Sequence, residues 1–278
     1  MIDLLLAIAS SAAVSIFMRV SEDRVSGNIS MLVSNYIVCA LMAVVFVGPK
    51  ALLVPAEGLG RTVWMGVLCG MLYLVSFVLL QWNVGKNGVV LSSIFMKLGL
   101  LVPMVVSIAF FGEMPAPLQV LGFLLAVGAI VLINMETGHG KVAFKAGLIL
   151  LLLAGGSGDA MSKVFEELGS RDQSNHFLLC TFGTSLVLCT ALMLRKKQRI
   201  GGRELLFGTL VGIPNYFSAS FLLRSLETVP AVIAYPTFSV GTIVVVTLAG
   251  VGLFGERLGR RQWVAVATIL VALVLLNI

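Results

Sequence analysis

One segment of this chain occurs twice. Phe110 to Asn134, FFGEMPAPLQVLGFLLAVGAIVLIN, returns as Leu253 to Asn277, LFGERLGRRQWVAVATILVALVLLN, at a constant offset of 143 residues and with eight identities in 25 positions. The matches include Phe111/Phe254, Gly112/Gly255, Glu113/Glu256, Gln119/Gln262 and Asn134/Asn277. Shared apolar bias cannot align a Glu, a Gln and an Asn at fixed spacing, so the chain is two related halves. Each copy is a short polar turn followed by an apolar helix that closes its half. Further upstream, Tyr73 maps to Tyr216 and Leu79/Leu80 to Leu222/Leu223 at the same offset, while Gly66 and Gly70 reach Gly208 and Gly212 after a one-residue slip.

The environment follows from composition. Of 278 residues, 59% are apolar and 12% charged, with a mean hydropathy of +1.05. A soluble domain carries about 25% charged residues. Many apolar runs reach the ~20 residues that a helix needs to cross a hydrocarbon layer about 30 Å thick. The expected spans are 2–19, 31–48, 62–81, 88–111 and 117–134, then 145–165, 176–194, 204–223, 229–251 and 261–277. This predicts an all-α polytopic membrane protein: ten transmembrane helices in two five-helix repeats, 1–135 and 145–278, joined by a linker at 136–144. Five is odd, so the second copy enters the membrane from the opposite side and the repeats are inverted. Such a pair can open a central cavity to either side in turn, which is the symmetry of a transporter.

The four cysteines, Cys39, Cys69, Cys180 and Cys189, sit inside apolar runs without metal-ligand spacing and are expected to be buried thiols. The chain has no phosphate-binding GxxxxGK[ST], no GxGxxG in a soluble alternating pattern and no HExxH, so no catalytic site, metal or cofactor is expected. The net charge of +6 lies mostly in connectors, a pattern of membrane topology and anionic-lipid contact rather than nucleic-acid binding. The first apolar run lacks a basic leader and a cleavage site before Arg19, and is expected to be a retained helix.

Polar groups inside the spans are few. Lys97 stands in SSIFMKLGLLVPM, too far from either end of the fourth span to snorkel easily, and an intramembrane ammonium costs at least about 2.5 kcal/mol on insertion scales. It is expected to face a wet cavity, a substrate or a paired carboxylate. Ser93 lies one turn earlier on the same face, and Pro103 is placed to kink the helix. Asp159 and Lys163 stand at i and i+4 in GGSGDAMSKVFEEL, where they can neutralise one another. Alternatively, Asp159 serves proton or cation coupling. Gly155, Gly156 and Gly158 ahead of them suit a broken or closely packed helix. Asn215, Tyr216 and Ser218 follow Pro214; Tyr235, Thr237 and Ser239 surround Pro236 at an expected bend; Tyr73 is the repeat partner of Tyr216. Each tyrosine can contact substrate or bridge helices.

Ten spans, five-helix halves and a Phe-Gly-Glu turn before the last helix of each half resemble the drug/metabolite transporter superfamily, specifically its ten-helix EamA-like members. Gly122 and Gly128 fit the closing-helix pattern of that family, whereas Ala265 and Val271 replace glycine in the second half. The resemblance implies a secondary transporter without an ATP site, with a substrate cavity walled by the third, fourth, eighth and ninth helices. It leaves the substrate open.

The resulting expectation is an integral protein of a prokaryotic plasma membrane that exports a small polar amino-acid-like or organic-acid metabolite by alternating access. Its candidate substrate-binding residues are Lys97, Ser93, Tyr73, Asn215, Tyr216, Tyr235, Thr237 and Ser239. Asp159 and Lys163 are the candidates for coupling to a proton or another ion. The alternatives are an organic-cation or drug transporter, or a membrane scaffold without transport. On topology, the two lines of reasoning conflict. Odd-numbered connectors carry 13 Lys and Arg against four in the others, which places the termini outside. The family resemblance implies cytoplasmic termini.

Overall fold

Helix formation here is dictated by the solvent: in hydrocarbon a backbone group has only its own chain to bond to, so every span closes its hydrogen bonds internally. The structure, a computed structural model, describes residues 1–21, 24–25, 27–48, 57–87, 92, 95–134, 145–254 and 260–278. Among these it contains α1 (Ile2–Ser21), α2 (Asn28–Val47), α3 (Leu59–Asn87), α4 (Leu101–Phe111), α5 (Pro117–Asn134), α6 (Lys145–Leu168), α7 (Ser174–Arg195), α8 (Gly202–Leu226), α9 (Ala231–Phe254) and α10 (Arg260–Leu276). Seven helical segments are long and apolar enough to cross a membrane, and three shorter apolar ones, Phe95–Phe111, Pro117–Leu132 and Trp263–Leu276, accompany them. Large apolar side chains such as Val45, Trp64, Leu124 and Val274 lie on the outside, a surface that lipid rather than water must cover. The protein is an all-helical polytopic membrane protein.

The expected boundaries change in two places. α3 continues to Asn87, so Gly85 lies inside a helix that the sequence pattern ends near residue 81. The fourth segment is interrupted: after a helical turn at Phe95–Lys97, Leu98–Leu100 form a 3₁₀ turn before α4 begins. Pro103 accounts for the break, because it has no N–H to give the carbonyl four residues back, that of Gly99. By contrast, α8 and α9 run through Pro214 and Pro236 without interruption.

The helices form two compact units that interleave along the chain. Unit 1 comprises Met1–Leu74 and Val164–Glu227; unit 2 comprises Val75–Lys163 and Thr228–Ile278. These packing units therefore do not coincide with the two halves of the sequence, and α3 and α6 contribute to both.

In unit 1, α8 packs on α1 and α2, and α2 on α7. Two glycine pairs set the closest approaches. A methyl added at Gly66 would strike Cys180, Phe177 and Thr181 of α7; one added at Gly208 would strike Ser34, Met31 and Asn35 of α2. Gly70 likewise meets Thr181 and Thr184, as Gly212 meets Asn35 and Val38. The α7 partners stand at a constant 146 residues beyond their α2 counterparts, so one helix contact is built twice. Its polar supplement also recurs: Ser185 Oγ donates to the Gly70 carbonyl and Cys39 Sγ to that of Gly212, each at 3.3 Å. Small residues spaced by four let two backbones approach, which is how helices gain dispersion energy where lipid removes the hydrophobic drive.

Unit 2 has its own core, with Phe123, Ala126 and Ile130 of α5 against Ile269, Ala272 and Leu276 of α10, joined by Leu100 and Val240. Gly122 meets Ala272, Leu275 and Leu276, so α5 and α10 pack closely although α10 has Ala265 where the pattern expects glycine. The polar residues that recur in the repeat have structural tasks. Gln119 Oε1 accepts the Ala116 N–H at 2.9 Å and closes the start of α5. Asn277 Nδ2 donates to the Leu273 carbonyl at 2.8 Å and to Thr237 Oγ1 at 3.4 Å, tying α10 to α9.

Candidate functional site

In unit 2, Lys97, Glu113, Asp159 and Lys163 lie on α6 or on the turns beside it. Gly155 and Gly156 of α6 touch the turn that carries Lys97: Gly155 lies against the Met96 carbonyl, and Gly99 meets the backbone of Gly155 and Gly156. α6 is continuous, so these glycines serve close packing and not a break. The contact leaves Asp159, one turn further along α6, in electrostatic interaction with Lys97. Protein packs around Lys97, yet its side chain keeps an accessible surface. Tyr235 Oη donates to the Asp159 main-chain carbonyl at 2.6 Å and so fixes α9 against the same turn.

Lys163 departs from expectation. It is 2% exposed, and its Nζ lies 2.8 Å from Glu113 Oε1, with the Phe111 ring centroid 5.8 Å away. A carboxylate that holds Lys163 is that of Glu113, and Lys97 acts electrostatically on Asp159. Beside the i, i+4 spacing on α6, the structure thus adds a pairing of Lys163 across helices. Glu113 is itself fixed on three sides. Gly112 adopts φ 69°, a left-handed conformation open to glycine, and ends α4. The Glu113 N–H returns to the Ser107 carbonyl at 3.3 Å. Its second oxygen, Oε2, accepts the Val232 N–H at 3.1 Å, in the first turn of α9, where unpaired N–H groups and the helix dipole favour an anion. The second Phe-Gly-Glu turn, with Glu256, lies outside the described residues.

Other sequence candidates are placed differently. Thr237 is buried and accepts from Asn277, while Ser239 is half-buried in α9. Ser93 lies outside the described residues. In unit 1, Tyr73 is half-buried on α3. Asn215 Nδ2 donates to Asn35 Oδ1 at 3.2 Å and approaches Cys39 Sγ at 3.7 Å. Tyr216 is buried, stacks on Phe46 with ring centroids 5.5 Å apart, and donates to Asn175 Oδ1 at 3.4 Å. Both residues bridge helices here. Lys97, Asp159 and Tyr235 are therefore the sequence candidates that one unit brings to one place.

Sequence reasoning named Glu113 only as part of a motif and passed over Asn35, Asn83 and Asn175. Asn83, buried in α3, donates to the carbonyls of Leu79 at 2.9 Å and Gly147 at 3.0 Å, and was hidden by its place in an expected loop. Glu113 did leave a signal, since it matches a glutamate in the second repeat.

The model of the EamA-like transporter family matches residues 144–278. An uncharacterised protein of Haemophilus influenzae is 22% identical over 278 residues, spanning 95% of this chain and 93% of that one. Two probable 4-amino-4-deoxy-L-arabinose-phosphoundecaprenol flippase subunits ArnE match shorter stretches. The Proteus mirabilis protein is 39% identical over 61 residues, 22% of this chain and 53% of that protein. The Klebsiella pneumoniae protein is 44% identical over 55 residues, 20% of this chain and 48% of that protein. A solved crystal structure shares the fold, with a TM-score of 0.72 at 16% identity over 99% of this chain and 94% of that one. Together, the EamA-like match over residues 144–278 and the flippase-subunit relatives support a membrane transporter similar to members of the drug/metabolite transporter superfamily.

Proposed function

We propose that this transporter exports a small zwitterionic, amino-acid-like metabolite across a bacterial plasma membrane by alternating access, with Lys97 and Asp159 as its principal contacts. The single observation behind the substrate class is the arrangement of charge: Lys97 and Asp159 interact electrostatically, while Lys163 lies 2.8 Å from Glu113. An ammonium and a carboxylate in one electrostatic neighbourhood can offer one partner to each end of a zwitterion. A plain organic acid, the other half of the sequence-based expectation, would satisfy Lys97 and leave Asp159 in low dielectric without its cation. The organic acid is accordingly the weaker substrate. Alternating access is supported by the twofold repeat and by the glycine contact built twice. The plasma membrane is supported by the bacterial relatives.

A second reading follows from the flippase relatives, whose names specify an amino sugar on a phosphate-linked lipid. That molecule also carries an amine and an anion, so the same pair could receive its head group. Purified protein in liposomes distinguishes the readings. Saturable counterflow of threonine is expected. Lipid-linked amino-sugar translocation without threonine counterflow would replace the substrate, and counterflow of tetraethylammonium alone would favour an organic-cation transporter. Absence of all three would leave a scaffold.

A further inference from the structure

We propose that the turn between α7 and α8 is a docking surface for the anionic headgroups of membrane phospholipids. Arg195 to Arg203, RKKQRIGGR, carries five basic residues in nine positions, and all five are exposed. Glu204, the acidic residue next in sequence, is buried and accepts the Gly201 N–H at 3.1 Å. The neighbouring α1–α2 connector balances Arg19 and Arg24 against Glu22 and Asp23, the last two lying outside the described residues. At the other ends of α7 and α8 the charges are mixed: Arg171 and Arg224 stand with Asp172 and Glu227, and Arg171 Nη1 lies 4.0 Å from Glu227 Oε2.

Helix electrostatics explain only part of the basic run. Arg195 and Lys196 end α7, where the dipole favours cations, but Arg203 stands in the first turn of α8, where it favours anions. Lys197 adopts φ 55°, and among the described residues it is the one non-glycine with a positive φ. It occupies the left-handed position after α7, with its own N–H returning to the Leu194 carbonyl at 3.0 Å and the Gln198 N–H to that of Met193 at 3.1 Å. Glycine costs least at this place, so a charge stands there against the preference of the backbone. Gln198 then fixes the turn. Its Oε1 accepts the Ser30 N–H at 3.3 Å and the Ser30 hydroxyl at 3.4 Å, in the first turn of α2, where the cap residue Gly27 has no side chain to do so.

The apolar flanks favour lipid over a soluble partner. Leu194 is 66% exposed, Ile200 39%, Leu205 52% and Leu206 57%, so aliphatic surface stands within a turn on either side of the basic residues. Aliphatic groups of this kind belong in hydrocarbon and the cations in water, which sets the turn at the boundary, level with lipid phosphates. Each basic residue near an anionic surface accounts for about fivefold in affinity.

The test is binding of dioctanoyl phosphatidylglycerol to the purified protein in neutral detergent, against dioctanoyl phosphatidylcholine, read by native mass spectrometry and by melting temperature. The native protein is expected to prefer the anionic lipid by about tenfold or more, and Arg199→Gln/Arg203→Gln to lose most of that preference. Arg171→Gln/Arg224→Gln removes as much charge from the other ends of the same helices and should keep it. Lys197→Gly separates charge from fold: it should melt at or above the native temperature without the anionic lipid, yet bind that lipid about fivefold more weakly.

Equal affinity of the native protein for the two lipids overturns the inference, as does native affinity for the anionic one in folded Arg199→Gln/Arg203→Gln or in Lys197→Gly. An equal loss in Arg171→Gln/Arg224→Gln also overturns it, because net charge and not this turn would then set the affinity. Displacement of the lipid by equimolar inorganic phosphate or polyglutamate overturns it in favour of a free anion or an acidic protein.

Discussion

Unit 1 and unit 2 use the polar groups of their helices in different ways. In unit 1, apart from Glu204, which accepts the Gly201 N–H at the start of α8, the buried groups described are neutral and largely answer one another across helix contacts: Asn215 to Asn35, Cys39 to Gly212, Ser185 to Gly70, and Thr62 to Gln173 at 2.5 Å. In unit 2 four charged groups cluster along α6 and the turns beside it, as Lys97, Asp159, Lys163 and Glu113. A neutral hydrogen bond between helices contributes about 1 kcal/mol and is repaid in rigidity, whereas a charge in the membrane costs several and persists where function needs it. The contrast is the ground on which the proposed function places its substrate contacts in the second unit.

The largest expected effect tests the structural side. Gly208→Leu drives a branched side chain into Ser34 and the α2 backbone, and overpacking of this kind costs roughly 1–3 kcal/mol and occasionally more. Little monodisperse protein should survive detergent extraction, and Gly66→Leu should behave alike because its contact is the same one. Recovery of either variant with native melting behaviour would break the equivalence of the two contacts.

Asn215→Ala should come next. It leaves Asn35 short of a buried partner, at a cost of about 1–3 kcal/mol, with substrate affinity unchanged in the folded fraction. Melting temperature and threonine binding measured on one sample check both halves of that statement. A loss of affinity with native stability would move the binding site into unit 1.

The smallest effect belongs to Gln119→Ala, which removes one bond at the start of α5 and should cost about 0.3–1.5 kcal/mol, visible as a modest fall in melting temperature with transport intact.

How much of this was legible beforehand depends on the range of the interaction. Helix positions follow from hydropathy, and the offset between the repeats already links Gly66/Gly70 to Gly208/Gly212. The 3₁₀ turn at Leu98–Leu100 was partly visible, because Pro103 removes a local donor. The pairing of Lys163 was not. Spacing along one helix makes Asp159 the obvious partner, while Glu113 lies 50 residues away in sequence and becomes a neighbour only when α4 and α6 pack. Gly85 misled for the opposite reason: a polar, glycine-containing stretch signals a turn locally, yet tertiary contacts of Asn83 hold it helical. Asn215 and Tyr216 combine polarity with a neighbouring proline, the pattern of a cavity wall, but their partners on α2 and α7 turn them into helix contacts.

The central claim, that Lys97 receives the substrate's carboxylate, is tested most directly by threonine counterflow and thermal melting on Lys97→Met. Because Lys97 keeps an accessible surface, its removal should shift melting by only a few degrees, the scale of about 1 kcal/mol or less. Counterflow should fall at least tenfold, the equivalent of about 1.4 kcal/mol of lost binding. Native counterflow at native stability would contradict the claim, as would a large loss of stability that Asp159→Asn in the same chain restores.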